Sequence, residues 1–282
     1  MADMVSAVSS GLSNASREPN VLNYNPHNKQ ELFHRSDNQG RLYIGGNRSG
    51  KTVGGVVEDI WWLTGKHPYQ QTPRPPTYGR LITVDFKNGV EKIILPQLVQ
   101  WLPPSELKNG SWEDSYNKNL NILTLANKSK LEIMSHEQPL EKFAGTSRHF
   151  LHMDEECPES IFIESKIRLI DTNGHWWMTM TPVEGMTWVF DRIFDAQDPH
   201  ITIITVDIAD NPYLSVEARD MILSGLDEEN LKIRGRGEFV AIGGLVLREF
   251  DYGRHVLPPL PGINPSYRIF CSIDHGYNNP TA

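Results

Sequence analysis

The stretch Gly45-Gly46-Asn47-Arg48-Ser49-Gly50-Lys51-Thr52 decides the fold, because it matches the pattern G-x-x-x-x-G-K-[ST] at every defined position. The residues before it, 41–44, predict a short buried strand, and the residues after it, 53–63, carry apolar side chains at helical spacing. A strand that leads through a glycine turn into a helix is the setting that a phosphate-binding loop, or P-loop, requires. The sequence therefore predicts nucleotide binding here rather than a glycine turn with an ordinary surface lysine.

The chemistry of a P-loop assigns roles to the residue types in this stretch. The glycines let successive backbone N–H groups point toward an anion, and the helix start adds a partial positive charge. We expect Lys51 to reach the β- and γ-phosphates of ATP and the Thr52 hydroxyl to ligate Mg²⁺. The predicted nucleotide-binding residues of the loop are Gly45, Gly46, Asn47, Arg48, Ser49, Gly50, Lys51 and Thr52.

The whole chain has the composition of a globular protein, with 282 residues of which 39% are hydrophobic and 22% charged. It contains no apolar run of membrane-spanning length and no signal peptide, and its cysteines are Cys157 and Cys271 alone. We therefore expect a cytosolic protein without a disulfide framework. The formal net charge of −8 argues against nucleic-acid binding through bulk charge but leaves room for a local basic groove.

A turn followed by a short helix is predicted upstream of the P-loop, over residues 23–33. Tyr24 and Gln30 in this segment are candidates to stack on adenine and to hydrogen-bond its edge. The alternative is an ordinary helix that places Leu32 and Phe33 in the core. The residues alone leave both interpretations open.

The second informative stretch, residues 149–156, is a mostly apolar run that ends in Asp154, Glu155 and Glu156. Phosphoryl transfer needs one carboxylate on Mg²⁺ and another that orients or deprotonates the attacking water. We assign the metal to Asp154 and the base to Glu155, and we expect Glu156 to precede a helix over residues 159–170. The complete P-loop in the same chain favours these roles over a strand that merely ends in an acidic turn.

Strand and helix patterns alternate through the rest of the chain. Strands are predicted at residues 80–86, 149–156, 175–182 and 200–206, a hairpin at 120–135, and helices at 89–102, 187–194 and 214–226. This order predicts an α/β fold with a mainly parallel sheet flanked by helices, and a ligand at the carboxyl ends of the strands. Residues 228–239 carry Lys232, Arg234 and Arg236, which either face DNA or lie on a solvated helix.

The pattern also predicts how the chain divides into segments. Residues 1–20 read as a mobile arm, 21–242 as the P-loop domain, and the proline-rich segment 243–267 as a linker with a short strand. Residues 268–282 begin with an apolar run that ends in Asp274, which predicts the first strand of a second domain.

Together these motifs resemble the large terminase subunit of tailed bacteriophages, the ATP-driven motor that packages DNA. The P-loop is similar to its Walker A motif, Asp154 and Glu155 to its Walker B motif, and Tyr24 with Gln30 to its adenine-binding element. Thr181, which precedes Pro182 at the end of a predicted strand, resembles the motif that couples loss of the γ-phosphate to movement. The resemblance covers nearly the whole chain after the N-terminal arm.

The resemblance implies an ASCE-type P-loop ATPase that uses ATP and Mg²⁺, with Glu155, Arg48 and Thr181 as catalytic residues. It implies that the partners are double-stranded DNA, the portal protein and the small terminase subunit. It also implies that the chain forms a homo-oligomeric ring on the procapsid, binds no membrane and acts in the host cytoplasm. Asp274 resembles the first metal ligand of the RNase H-like nuclease domain. With that strand alone, we expect no DNA cleavage from this chain.

Two other functions compete with the motor. A helicase-like DNA-dependent ATPase shares the P-loop and the carboxylates, whereas a nucleotide-gated binding module without motor activity needs neither Glu155 nor Thr181. Two arginines are candidates to neutralise the γ-phosphate. Arg48 lies in the loop itself, and Arg148 lies just before the Walker B strand. Arg148 either contacts the nucleotide of a neighbouring subunit or forms a surface salt bridge.

Overall fold

The computed structural model describes residues 20–240 and Arg268. The chain divides into two units, residues 1–242 and 243–282, and every described strand and helix belongs to the first. The predictions for residues 1–19, for the linker at 243–267 and for the strand that carries Asp274 lie outside the described residues.

An eight-stranded sheet forms the centre of the domain, in the order β3-β4-β5-β2-β6-β7-β1-β8. All neighbours from β5 to β8 run parallel, while β3, β4 and β5 pair antiparallel at one edge. The strands are β1 Gly40–Gly45, β2 Tyr78–Thr83, β3 Tyr116–Asn117, β4 Ile122–Thr124, β5 Lys130–Ser135, β6 Phe150–Asp154, β7 His175–Met180 and β8 Ile201–Val206. The predicted mainly parallel α/β sheet is confirmed, and so is the hairpin, which is formed by β4 and β5.

Helices cover both faces of the sheet, as a parallel sheet requires. They are α1 Asn28–Arg35, α2 Lys51–Thr64, α3 Leu95–Trp101, α4 Trp112–Ser115, α5 Glu159–Ile167, α6 Val216–Ser224 and α7 Glu228–Asn230. Strand β1 shows why two layers are needed, since all six of its residues are buried. Tyr43 points into one hydrophobic cluster with α2, whereas Leu42 and Ile44 point into the other with α5.

Three segments form wider, π-helical turns, in which each N–H bonds five residues back, and two of them overlap the predicted helices at 89–102 and 187–194. The three segments are Phe86–Ile94, Phe190–Phe194 and Leu231–Gly235. In the first, Pro96 supplies a reason, because it lacks the N–H that a regular helix needs and the π-helical turns end just before it. The strand predicted at 80–86 also ends earlier, at Thr83, and Asp85 begins this helix by accepting the Asn88 N–H.

Candidate active site

The P-loop lies between β1 and α2, where the sequence predicts it. Strand β1 ends at Gly45 and α2 begins at Lys51. Gly50 has φ of 89°, so the backbone conformation there favours glycine, and the Gln30 amide nitrogen would lie 2.8 Å from an added Cβ. Arg48 also adopts a left-handed conformation, with φ of 61°. The loop therefore has the tight turn that sends the chain from the sheet into a helix.

Lys51 is buried inside the loop. Its Nζ donates to the Gly46 carbonyl at 2.8 Å, and the Ser49 hydroxyl donates to the same oxygen at 2.7 Å. Burial lowers the pKa of Lys51, and the nearby charges of Glu155 and Asp154 oppose that effect. The ammonium group is thus held beside both predicted catalytic carboxylates.

Asp154, the last residue of β6, lies against the start of α2. Its Oδ1 accepts hydrogen bonds from the Thr52 and Thr179 hydroxyls, each at 3.0 Å. A hydroxyl and a carboxylate side by side fit Mg²⁺, which is bound through few protein oxygens and completes its shell with water and substrate phosphate. The two residues predicted to hold the metal, Thr52 and Asp154, are therefore brought together.

Glu155 is turned away from the strand axis by an unusual backbone conformation. Its φ is 75°, a region that a non-glycine residue occupies only when its surroundings enforce it. The main-chain N–H donates to the Thr179 carbonyl at 2.8 Å, and the side-chain Oε2 accepts the Thr181 N–H at 2.9 Å. Burial and the Asp154 charge raise the pKa of Glu155 to about 7, against the opposing charge of Lys51. A carboxyl with this pKa suits a general base near neutral pH.

A cavity of about 510 Å³ opens beside Glu155 and Thr181. Its other lining residues are Asn47, Val84, His136, Glu156, Cys157, Pro158, Val183, Glu184, Trp188 and Arg234. Thr181 is buried, and its backbone forms the contact with Glu155 just described. The cavity joins the P-loop, both acidic residues after β6, and the segment after β7.

Sequence reasoning missed three buried residues behind Asp154, which are Asp59, His152 and Thr179. The His152 Nε2 contacts the Thr179 hydroxyl at 2.9 Å, and its Nδ1 contacts Oδ2 of Asp59 in α2 at 2.8 Å. Burial favours neutral His152, but the Asp59 charge and hydrogen bond outweigh it and raise the pKa of His152. Gly55 of α2 leaves room for the imidazole, since a Cβ there would lie 2.5 Å from the ring. The sequence feature that could have indicated this network is His152 itself, a histidine within an apolar strand two residues before Asp154.

The upstream segment supports the P-loop from outside the sheet. The Gln30 side chain donates to the Gly50 carbonyl at 2.9 Å and accepts the His27 N–H at 3.1 Å. Tyr24 packs edge-on against Trp61 and Trp101, and its hydroxyl bonds His34. Both residues thus have structural contacts, and their predicted contacts with adenine stay predictions.

A second buried cluster, His34, Glu58 and His67, has the residue types of a metal site. The Nδ1 of His67 accepts the N–H groups of Tyr69 and Gln70, so its Nε2 carries the proton that faces Glu58. The Glu58 carboxylate also accepts hydrogen bonds from the side chains of His34, Arg41 and Trp62. Burial opposes ionisation, but the Arg41 charge and the histidine hydrogen bonds together hold the pKa of Glu58 well below its usual range. These contacts make the cluster a structural ion-pair network.

The two candidate arginines lie in different surroundings. Arg48 is exposed at the loop tip, and its carbonyl accepts the Asn211 side-chain amide at 2.7 Å. Arg148 forms an ion pair with Glu132 at 2.6 Å, and Glu132 also pairs with Arg80 at 2.8 Å. Arg148 thus forms the salt bridge that one interpretation expects, whereas its role at a neighbouring subunit's site and a catalytic role for Arg48 stay predictions.

Comparison with known proteins identifies the fold. Neither a protein-family model nor a curated protein matches the sequence. The large terminase of a thermophilic bacteriophage matches 91% of this chain at 18% identity, with a TM-score of 0.64. The large terminase ATPase domain of Thermus phage P74-26 matches 78% of this chain at 17% identity, with a TM-score of 0.58. The fold is that of a phage large-terminase ATPase domain.

The extent of the match differs between the two terminase structures. This chain spans 64% of the first terminase chain, whereas it spans 96% of the isolated P74-26 ATPase domain. The first terminase was also solved in complex with ADP, in a structure that matches 90% of this chain at 19% identity with a TM-score of 0.60. Within the part of the chain that the structure describes, no helix has the length and apolar character needed to cross a bilayer.

Proposed function

We propose that this chain hydrolyses ATP as the motor domain of a phage large terminase and thereby drives double-stranded DNA into procapsids. The observation that carries the proposal is the position of Glu155. Its half-buried side chain lines a cavity beside the P-loop, near Lys51 and adjacent to Asp154, and its carboxylate accepts the Thr181 N–H. A protein that only bound nucleotide would need the loop and the lysine but not this base.

In the proposed reaction, the P-loop N–H groups and Lys51 bind the phosphates, and Thr52 with Asp154 would hold a Mg²⁺ ion. The bound metal ion supplies neutralisation of phosphate charge. Glu155 orients a water molecule and accepts its proton as the water oxygen bonds the γ-phosphorus. The bond from that phosphorus to the bridging oxygen breaks, which leaves ADP and phosphate.

The contact between Glu155 and Thr181 provides a route from chemistry to movement. Thr181 follows β7, and Thr187 farther along the same segment donates to the Glu156 carboxylate at 2.8 Å. The segment is therefore bonded at two points to adjacent acidic residues after β6. Reorientation of Glu155 toward water or phosphate changes the first of these bonds, which shifts the start of the segment.

The partners in this proposal are the portal protein, the small terminase subunit and further copies of this chain in a homo-oligomeric ring, within the host cytoplasm. The fold shared with phage terminases supports this assignment. The test is ATP-driven packaging with procapsids, read as DNA protected from nuclease. Protection by the wild-type protein and none by Lys51→Ala is expected. Unwinding of duplex DNA without protection would instead favour the helicase-like function, and ATP binding without hydrolysis the binding module.

A further inference from the structure

The segment at residues 231–238 returns to lie directly on the P-loop. The Asn47 N–H donates to the Arg234 carbonyl at 2.6 Å. A Cβ on Gly46 would collide with the Gly235 carbonyl, and a Cβ on Gly237 would collide with the Gly45 backbone. Backbone therefore packs on backbone, with no side chain between, and a shift of the loop is transmitted directly to this segment.

The three basic residues of the segment have different partners. Lys232 pairs with Glu228 at 3.2 Å, and Arg236 pairs with Glu238 at 3.7 Å. Arg234 instead donates from Nε to the neutral side-chain amide of Asn230 at 3.1 Å. Among residues 20–240, no carboxylate forms an ion pair with Arg234. Arg234 therefore lacks, within the described part of the chain, the ion pair that each of its two neighbours forms.

Arg234 also differs from its neighbours in location, because it lines the cavity that holds Glu155 and Thr181. Arg234 lies within the π-helical turn Leu231–Gly235. Such a turn adds one residue and so rotates the side chains that follow relative to a regular helix, and π-helical turns are frequent at functional sites. Of the basic cluster that the sequence assigned either to DNA contact or to a solvated helix or turn, one arginine therefore lines the cavity that holds Glu155.

We propose that Arg234 contacts the γ-phosphate of ATP bound to the P-loop of its own chain and stabilises the charge that develops there during transfer. The proposal rests on the proposed ATP hydrolysis. Arg234 is among the residues that line the cavity, so its guanidinium is a cation within the same site as Glu155, in addition to the Lys51 ammonium that is buried in the loop. Departure of the γ-phosphate would remove this side-chain contact and leave the bond from the Asn47 N–H to the Arg234 carbonyl as the link between the loop and the segment.

The test compares Arg234→Ala and Arg234→Gln with the control Arg236→Ala, which removes a similar charge two residues away. Steady-state phosphate release gives kcat, and fluorescence titrations give the affinities for ADP and ATP-γ-S. We expect kcat to fall by on the order of 10³-fold in both Arg234 variants. The affinity for ATP-γ-S should fall relative to that for ADP, and Arg236→Ala should behave as wild type.

Two results would overturn the role of Arg234. One is Arg234 variants that match Arg236→Ala in both kcat and the affinity ratio. The other is an equal loss of ADP and ATP-γ-S affinity, which indicates damage to the loop rather than loss of a γ-phosphate contact. A wild-type protein that binds both nucleotides without hydrolysing ATP contradicts the proposed function instead, and the affinity ratio still decides whether Arg234 touches the γ-phosphate.

Discussion

The Thr179 hydroxyl donates a hydrogen bond to Oδ1 of Asp154 at 3.0 Å, the same oxygen that accepts the Thr52 hydroxyl. The two residues are direct neighbours in the parallel pair β6 and β7. The Thr179 hydroxyl also contacts His152, and His152 contacts Asp59 of α2. A buried chain of polar groups that begins in α2 therefore positions the Asp154 carboxylate. The orientation of the metal residue therefore depends on a strand and a helix as well as on its own backbone.

Replacing Thr179 with valine should disturb that orientation while keeping the shape of the side chain. Loss of the hydroxyl leaves His152 without its partner at Nε2, and an unsatisfied buried polar group costs about 1–3 kcal/mol. We expect a raised Mg²⁺ requirement for ATP binding, measured by nucleotide titration at graded Mg²⁺ concentrations. Thr179→Ser retains the hydroxyl and is the control. An unchanged Mg²⁺ requirement in Thr179→Val would show that Thr179 does not position Asp154.

Arg48→Ala should lower the rate of hydrolysis with little change in ATP affinity. The exposed side chain at the loop tip is free to extend toward a bound γ-phosphate, and its removal leaves the carbonyl contact with Asn211 in place. Phosphate release and ATP titration measure the two effects. Arg148→Ala is the control, since its ion pair with Glu132 predicts no effect on isolated hydrolysis. Equal activity of wild type and Arg48→Ala would remove Arg48 from the mechanism.

Glu58→Gln should destabilise the domain strongly. It leaves Arg41 buried, with a 0% exposed side chain, and without its carboxylate partner at 2.7 Å. Breaking a buried pair by removing one member typically costs about 3–5 kcal/mol. Denaturant unfolding should show a lower midpoint than for the control Glu31→Gln, which breaks an exposed pair with Arg35. Equal midpoints would show that the network contributes no net stability. Added Zn²⁺ should raise the unfolding midpoint of neither Glu58→Gln nor Glu31→Gln.

The P-loop, Asp154 and Glu155 were predictable because local sequence determines their geometry. A glycine turn after an apolar strand specifies the loop, and a carboxylate at the end of another buried parallel strand lies at the same sheet edge. Thr179 was not predictable, since its contact with Asp154 depends on which strands are neighbours and in what register. The position of Arg234 likewise depends on a distant segment that returns to the loop.

The surroundings of Tyr24 show a similar limit. Its ring contacts Trp61 and Trp101, which come from later parts of the chain, so the residues near it in sequence do not reveal its environment. The π-helical turns were missed for another reason. Apolar spacing of 3.6 residues detects a regular helix but not the inserted residue that widens one turn, as in the turn that contains Arg234.

The central claim is that Glu155 is the base of an ATPase, and Glu155→Gln tests it most directly. The amide keeps the shape and removes the proton acceptor, so ATP affinity should remain near that of wild type while phosphate release falls by about a hundredfold or more. Lys51→Ala is the matched control and should lose ATP binding itself, because it removes the cation of the loop. Hydrolysis by Glu155→Gln at near the wild-type rate would contradict the account.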